Sequence, residues 1–175
     1  MEYRALQERE IDESLFNQFI RRQVVTKCLR KNGQGWVAVD APFIDDWTKD
    51  DFHTLVGCLK RTVCTGGVVY AAKEGAILKG FASVEPKRFG PALEYLDLSS
   101  LHVSEDRRGR GLGTRLFQYC CKWAKNHGAQ KLYISSHSAV ETQAFYQAMG
   151  CVDAQQYNQS HVELEPYDRQ LEYVL

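Results

Sequence analysis

The run Leu101-His102-Val103-Ser104-Glu105-Asp106-Arg107-Arg108-Gly109-Arg110-Gly111-Leu112-Gly113-Thr114 constrains this chain more than any other segment. Before it, Tyr95–Val103 is apolar and β-prone; after it, Leu116, Phe117, Cys120, Trp123 and Ala124 recur with a helical period. A strand must therefore turn into an amphipathic helix through Gly109, Gly111 and Gly113. Glycine allows a close backbone approach to a ligand and a positive φ. A helix start offers unpaired N–H groups and positive potential. Together they make an anion site suited to a pyrophosphate, with charge added by Arg108 and Arg110. The competing reading is a turn that needs glycine only for tightness. The run lacks the Lys of a P-loop, and its glycines, spaced two apart, fail the G-x-G-x-x-G dinucleotide pattern.

The rest of the chain supplies a sheet and helices to carry that turn. Tyr3–Gln7 reads as a first strand, and Asp12 caps a helix whose stripe is Leu15, Phe16, Phe19 and Ile20. Strands Val24–Leu29 and Trp36–Val39 flank a hairpin turn at Asn32-Gly33-Gln34-Gly35. Thr48 and Asp51 form a capping box for a helix carrying Phe52, Leu55, Val56 and Leu59, ended by Gly66-Gly67. Strands Val68–Ala72 and Ile77–Val84 follow, then a polar loop to Pro91. Beyond the glycine run, Gly128 stops the helix and Lys131–Ser135 is a strand. Ser138 and Glu141 open a helix through Ala144, Phe145, Ala148 and Met149 that Gly150 ends. Alternation at Val162 and Leu164, and at Leu171, Tyr173 and Leu175, predicts one or two closing strands. The order predicts an α+β fold with a mixed sheet, as a single domain over residues 1–175.

Composition narrows the function classes. A chain of 175 residues buries about 68–70% of its unfolded surface and needs no disulfide or metal staple. Lys+Arg and Asp+Glu are 22 each, so the basic excess of a nucleic-acid binder is missing. No stretch approaches 18 apolar residues, and Met1-Glu2-Tyr3-Arg4 does not read as a signal peptide, so no membrane partner is expected. Cys28, Cys58, Cys64, Cys120, Cys121 and Cys151 form no C-x-x-C pair; free thiols in a reducing cytoplasm are expected, and no metal.

Arg108-Gly109-Arg110-Gly111-Leu112-Gly113 resembles the R/Q-x-x-G-x-G/A loop of the GNAT superfamily of acyl-CoA-dependent N-acyltransferases. Ala144-Phe145-Tyr146-Gln147-Ala148-Met149-Gly150-Cys151 is similar to that family's F-Y-x-x-x-G segment, at a fitting distance. The specific resemblance covers about residues 95–151. It implies a mixed, mostly antiparallel central sheet with flanking helices and splayed central strands. It implies acetyl-CoA as co-substrate, with the pantetheine arm on freed backbone groups of Leu101, His102 and Val103. The pyrophosphate would lie on N–H groups from Arg108 through Gly109, Arg110, Gly111, Leu112 and Gly113 to Thr114. Tyr146 maps to the tyrosine that protonates the leaving thiolate, and a phenol with a pKa of about 10 suits an acid at neutral pH. Packing or orienting the sulfur is its other reading. The chain departs from the family where an Asn often stands seven residues before that Tyr: here it is Ala139, with Ser138 beside it as a substitute contact or a cap.

An ammonium acceptor must lose a proton before it attacks. Asp97, six residues before Val103, maps to a catalytic Glu of the histone-acetyltransferase branch; being shorter, it favours a bridging water. Glu94 and His102 are the alternatives, and a purely structural Asp97 is the plain reading. Asp40, Asp45, Asp46, Asp50 and Asp51 around Phe43, Ile44 and Trp47 suit a cation, or are solvated turn residues and caps. The other histidines, His53, His127, His137 and His161, read as surface or core residues. The expected activity is acetyl transfer from acetyl-CoA to a primary amine, by direct attack in a ternary complex. A non-catalytic acyl-CoA-binding module and a covalent acyl-cysteine are the rivals. A homodimer is admitted, the oligomeric state being open.

Overall fold

A computed structural model describes residues 1–175. Along the chain lie β1 (Glu2–Ala5), β2 (Gln23–Asn32), β3 (Gly35–Asp45), α1 (Lys49–Cys64), β4 (Val68–Glu74), β5 (Ile77–Val84) and β6 (Tyr95–Val103). Then come α2 (Leu112–Asn126), β7 (Lys131–Ser136), α3 (Val140–Ala148), β8 (Val152–Asp153), α4 (Gln159–Leu164) and β9 (Arg169–Val174). Seven strands form one sheet in the order β1-β4-β5-β6-β7-β9-β8, and β2 and β3 form a separate hairpin. Only the β6–β7 pair is parallel. The mixed, mostly antiparallel α+β sheet with flanking helices is thus the one expected.

Two apolar layers hold the sheet. On one face α2 brings Leu112, Leu116, Phe117, Cys120 and Ala124 against Val68, Ala82, Val84, Leu96, Leu98, Leu132 and Ile134. On the other, Val56 and Leu59 of α1 join Phe16, Phe19, Val69, Leu78 and Phe81. α1 begins where Thr48 and Asp51 cap one another's backbone N–H groups, as their spacing predicts.

Three local expectations are corrected. Residues after Asp12 form a short 3-10 turn, Glu13–Phe16, rather than a helix, because Phe16 and Phe19 both turn inward onto the Phe81 ring, at 5.4 and 5.5 Å. The Val162 and Leu164 alternation belongs to α4, capped by Asn158; Leu164 is 77% exposed, so no buried face drives a strand there. Ser138 and Glu141 make no capping box: Ala139 is the N-cap of α3. The Ser138 hydroxyl accepts from Arg30 Nη1 at 2.6 Å, and its carbonyl accepts from the Leu29 N–H at 2.7 Å. Ser138 therefore docks the β2–β3 hairpin onto the loop before α3.

Candidate active site

The parallel pair is short. β6 and β7 match at Tyr95–Lys131, Leu96–Leu132 and Asp97–Tyr133, and then part. Past this fork β6 remains bonded to β5 on one side, through Val103–Gly80, and has no strand on the other. A cleft of about 890 Å³ fills the gap, lined along β6 by Leu98 to Val103 and along β7 by Ser135 and Ser136.

A β-bulge aims the side chains of β6. Val84 pairs with Leu98 but Ser83 pairs with Ser100, so Ser99 is an extra residue. A bulge reverses the facing of everything after it. Leu96 and Leu98 face the α2 layer before it, and Leu101 and Val103 still face that layer after it. His102 consequently lies on the α1 side, against Phe81 and Trp47 at 5.2 and 4.7 Å. Ser99 itself meets Ser83 Oγ at 2.8 Å and donates to Glu85 at 2.9 Å.

The glycine run closes the cleft at one end. Its root is pinned by Asp106, which accepts from Lys79 Nζ at 2.8 Å and from Ser104 Oγ at 2.6 Å, while Ser104 Oγ accepts from the Ile20 N–H. Gly111 is the N-cap of α2 with φ +79°, a left-handed angle that costs any other residue strain. Gly113 serves contact instead: a Cβ there would lie 3.1 Å from the Phe145 ring, which binds α2 to α3. The N–H groups from Gly109 through Thr114 meet no acceptor within the chain. Gly109, Gly111, Leu112, Gly113 and Thr114 line the cleft with Arg108, whose guanidinium spans the carbonyls of Val103 and Arg21. Unpaired donors over a glycine turn, beside an arginine, fit a pyrophosphate. Arg110 is exposed and is not part of the lining, and Ser138 is buried away from it.

Tyr146 on α3 enters the cleft from the α2 side. It is 7% exposed, its ring sits against Phe117 and Phe145, and its hydroxyl has no partner in the chain. Burial pushes its pKa up, so the phenol stays protonated.

Asp97 stands at the fork on the opposite face, 8% exposed. Its Oδ2 is 2.6 Å from His161 Nε2 on α4, while Oδ1 is buried without a partner. Of the alternatives, Glu94 lies before the strand, its carboxylate accepting from the Ala92 N–H, and is not part of the lining. His102 does line the cleft, but burial, with Arg21 and Arg108 near, pulls its pKa down to about 3. The sequence takes His161 for a surface or core residue and gives Glu85 and Asp168 no role. Burial, and then Glu165, raise Asp168 to about 6, and its side chain meets Ser135 Oγ. Nothing in local spacing ties those residues to Asp97.

The acid-and-aromatic cluster is largely spent on the chain itself. Asp45 pairs with Arg21 at 2.5 Å, Arg21 lies over the Trp47 ring at 4.6 Å, and Asp51 caps α1. All six cysteines are free, and none lines the cleft. Burial pushes Cys121 and Cys151 up to about 12 and Cys120 higher still.

The acetyltransferase (GNAT) family model matches residues 32–151. An uncharacterized N-acetyltransferase, YobR of Bacillus subtilis (strain 168), is 40% identical over 40 residues; the match spans 23% of this chain and 16% of that protein. Among solved structures, a putative streptothricin acetyltransferase from Bacillus anthracis in complex with acetyl coenzyme A has a TM-score of 0.73 at 15% identity, over 99% of this chain and 96% of that one. A nourseothricin acetyltransferase has a TM-score of 0.65 at 15% identity, over 98% and 95%. These structures share the fold, and with the family model matching over most of its length the chain belongs to the GNAT family of acetyltransferases.

Proposed function

We propose that the protein is an N-acetyltransferase that moves the acetyl group of acetyl-CoA to a primary amine by direct attack within one ternary complex. The single observation that carries this reading is the β6–β7 fork, with unpaired N–H groups at one end and Tyr146 and Asp97 on its two faces. Backbone groups of Leu101, His102 and Val103 suit the amide-rich pantetheine arm, and Arg108 and the N–H groups of the glycine turn suit the pyrophosphate. The acetyl carbonyl then falls near the bulge at Ser99, where strand N–H groups can stabilise an oxyanion.

Each residue has a part in the chemistry. The amine forms the C–N bond, and the C–S bond breaks as the tetrahedral intermediate collapses. Tyr146 gives its proton to the departing sulfur; its raised pKa keeps that proton available at neutral pH. Asp97 supplies the negative charge that draws the proton off the acceptor. The buried, high-pKa thiols argue against an acyl-cysteine. The expected setting is the cytoplasm; no helix is long and apolar enough to cross a membrane.

Thiol release from acetyl-CoA tests the reading, against pools of polyamines, aminoglycosides, streptothricins and peptide N-termini. Thiol release matched by an N-acetylated product supports it. CoA binding by calorimetry with no turnover on any pool would favour the non-catalytic module instead.

A further inference from the structure

We propose that His161 is the proton acceptor of the reaction and that Asp97 is its positioning residue, an assignment that rests on the acetyltransferase reading above. Asp97 cannot meet an amine directly as the chain is folded. Its Oδ2 is committed to His161 Nε2 at 2.6 Å and its Oδ1 is sealed from solvent; neither residue lines the cleft itself, and of the two side chains the imidazole is the more exposed, 30% against 12%. The carboxylate therefore communicates with an acceptor through the imidazole.

The imidazole is built for that task. Asp97, acceptor-only when ionised, accepts a hydrogen bond from Nε2–H and so fixes the tautomer, leaving the Nδ1 lone pair free. Nδ1 has no partner in the chain, and the side chain is 30% exposed. The ring lies over Tyr133, 5.9 Å between centroids, and Tyr133 is the residue that faces Asp97 at the fork. The cleft lining begins one residue beyond Asp97, at Leu98, and two beyond Tyr133, at Ser135. The pair thus sits beside the cleft, just short of the residues that line it.

The groups facing His161 favour its charged form. Asp97 comes from β6, Tyr133 from β7, and Asp168 from the segment between α4 and β9. The hydrogen bond to Asp97 raises the His161 pKa against its burial, and the charges of Asp97 and Asp168 add to it. A base near the working pH is the efficient kind. The protons balance: the ammonium loses one to Nδ1, which passes it to solvent. The freed lone pair forms the C–N bond. The second proton on that nitrogen restores the Tyr146 phenolate, whose own proton has gone to the leaving sulfur.

The test is the pH dependence of kcat and kcat/KM for wild type, His161→Gln and Asp97→Asn, with CoA affinity measured alongside. Wild type should show an acid limb above the ordinary histidine value of about 6.5. Asp97→Asn should move that limb to lower pH. His161→Gln should lower kcat about 10²–10⁴-fold, remove the limb and leave CoA affinity unchanged. Free imidazole should restore part of the turnover of His161→Gly. Should His161→Gln fail to fold, the limb of a folded Asp97→Asn protein decides, since a merely structural pair would not move it. A wild-type pH profile and kcat in a folded His161→Gln protein overturns the assignment and leaves the acetyltransferase reading standing. No acetylation of any amine by wild type overturns that reading first, and the role of His161 with it.

Discussion

Asp97 and Tyr133 are the last residues that face each other across β6 and β7; one position further along, the strands have separated and the cleft has begun. Every group proposed to act on the substrates is placed by that parting. Tyr146 reaches the gap from the α2 face and Asp97 stands on the other, so the proposed acid and base unit would flank a thioester from opposite sides of a single layer.

Tyr146→Phe should fold and melt like wild type. The substitution keeps the ring contacts to Phe117 and Phe145, and the hydroxyl it removes has no partner in the chain. Turnover with acetyl-CoA should drop about 10²–10⁴-fold. A thioester of a more acidic thiol needs less protonation and should recover part of the loss. Steady-state rates on two thioesters of different leaving-group pKa check this; equal deficits on both would make Tyr146 a positioning residue for the sulfur.

Cofactor affinity should depend on the glycine turn. Space around Gly111 is open, so Gly111→Val acts through backbone strain at φ +79° and through the methyl groups it puts among the N–H donors. Removing the charge of Arg108 should weaken CoA binding about tenfold to a hundredfold, matching about 1.5–3 kcal/mol for a charge-assisted hydrogen bond. Calorimetric titration with CoA gives both values, with Gly111→Val the weaker binder. Arg110→Ala should change little, because its side chain lies outside the lining.

Asp106 should matter for stability, and the sign with pH follows from its partners. The bonds from Lys79 and Ser104 hold its carboxyl below the usual value of 3.8. A depressed folded pKa contributes stability above the unfolded pKa, lost as pH falls through the folded value. Asp106→Ala should therefore cost about 1.5–3 kcal/mol at neutral pH, since it leaves the buried Lys79 ammonium unpaired. As pH falls below the ordinary value of 3.8 the difference should shrink, wild type losing the same interaction as Asp106 takes up its proton. Urea melts at pH 7 and pH 3 would show it; a pH-independent difference would mean that the packing of Asp106, not its charge, is what counts.

Acetyl-CoA alone should leave no acetyl group on the protein. Cys121 and Cys151, pushed up to about 12 by burial, carry almost no thiolate at neutral pH, and Cys58 and Cys64 are exposed on α1. Intact-mass measurement of a quenched reaction without amine checks this. A rapid mass increase of one acetyl group on a cysteine would replace direct attack with a two-step transfer.

The residues that sequence alone determined are those governed by neighbours along the chain. Helical period, the Thr48–Asp51 box and the glycines bounded α1, α2 and α3 closely, and β6 runs over Tyr95–Val103 as its β-prone residues require. The glycine turn was legible for the same reason: a left-handed N-cap at Gly111 and a close contact at Gly113 demand glycine wherever the chain folds; the Phe145-Tyr146 segment was legible only through its resemblance to the family's motif. Tertiary structure decided what depends on register and on distant partners. The extra residue Ser99 exists only because β6 must match β5, and it alone reverses the facing of Leu101 and His102. Ser138 had the spacing of a cap, yet the hairpin supplies Arg30, a charged donor from 108 residues away, and takes its hydroxyl. Asp97 and His161 are 64 residues apart, in a strand and in a tail that alternates like one. Period and propensity describe the sides of one element; which side chain meets which across two elements is set by packing, where a bulge or a docked helix changes the pairing without changing a local pattern.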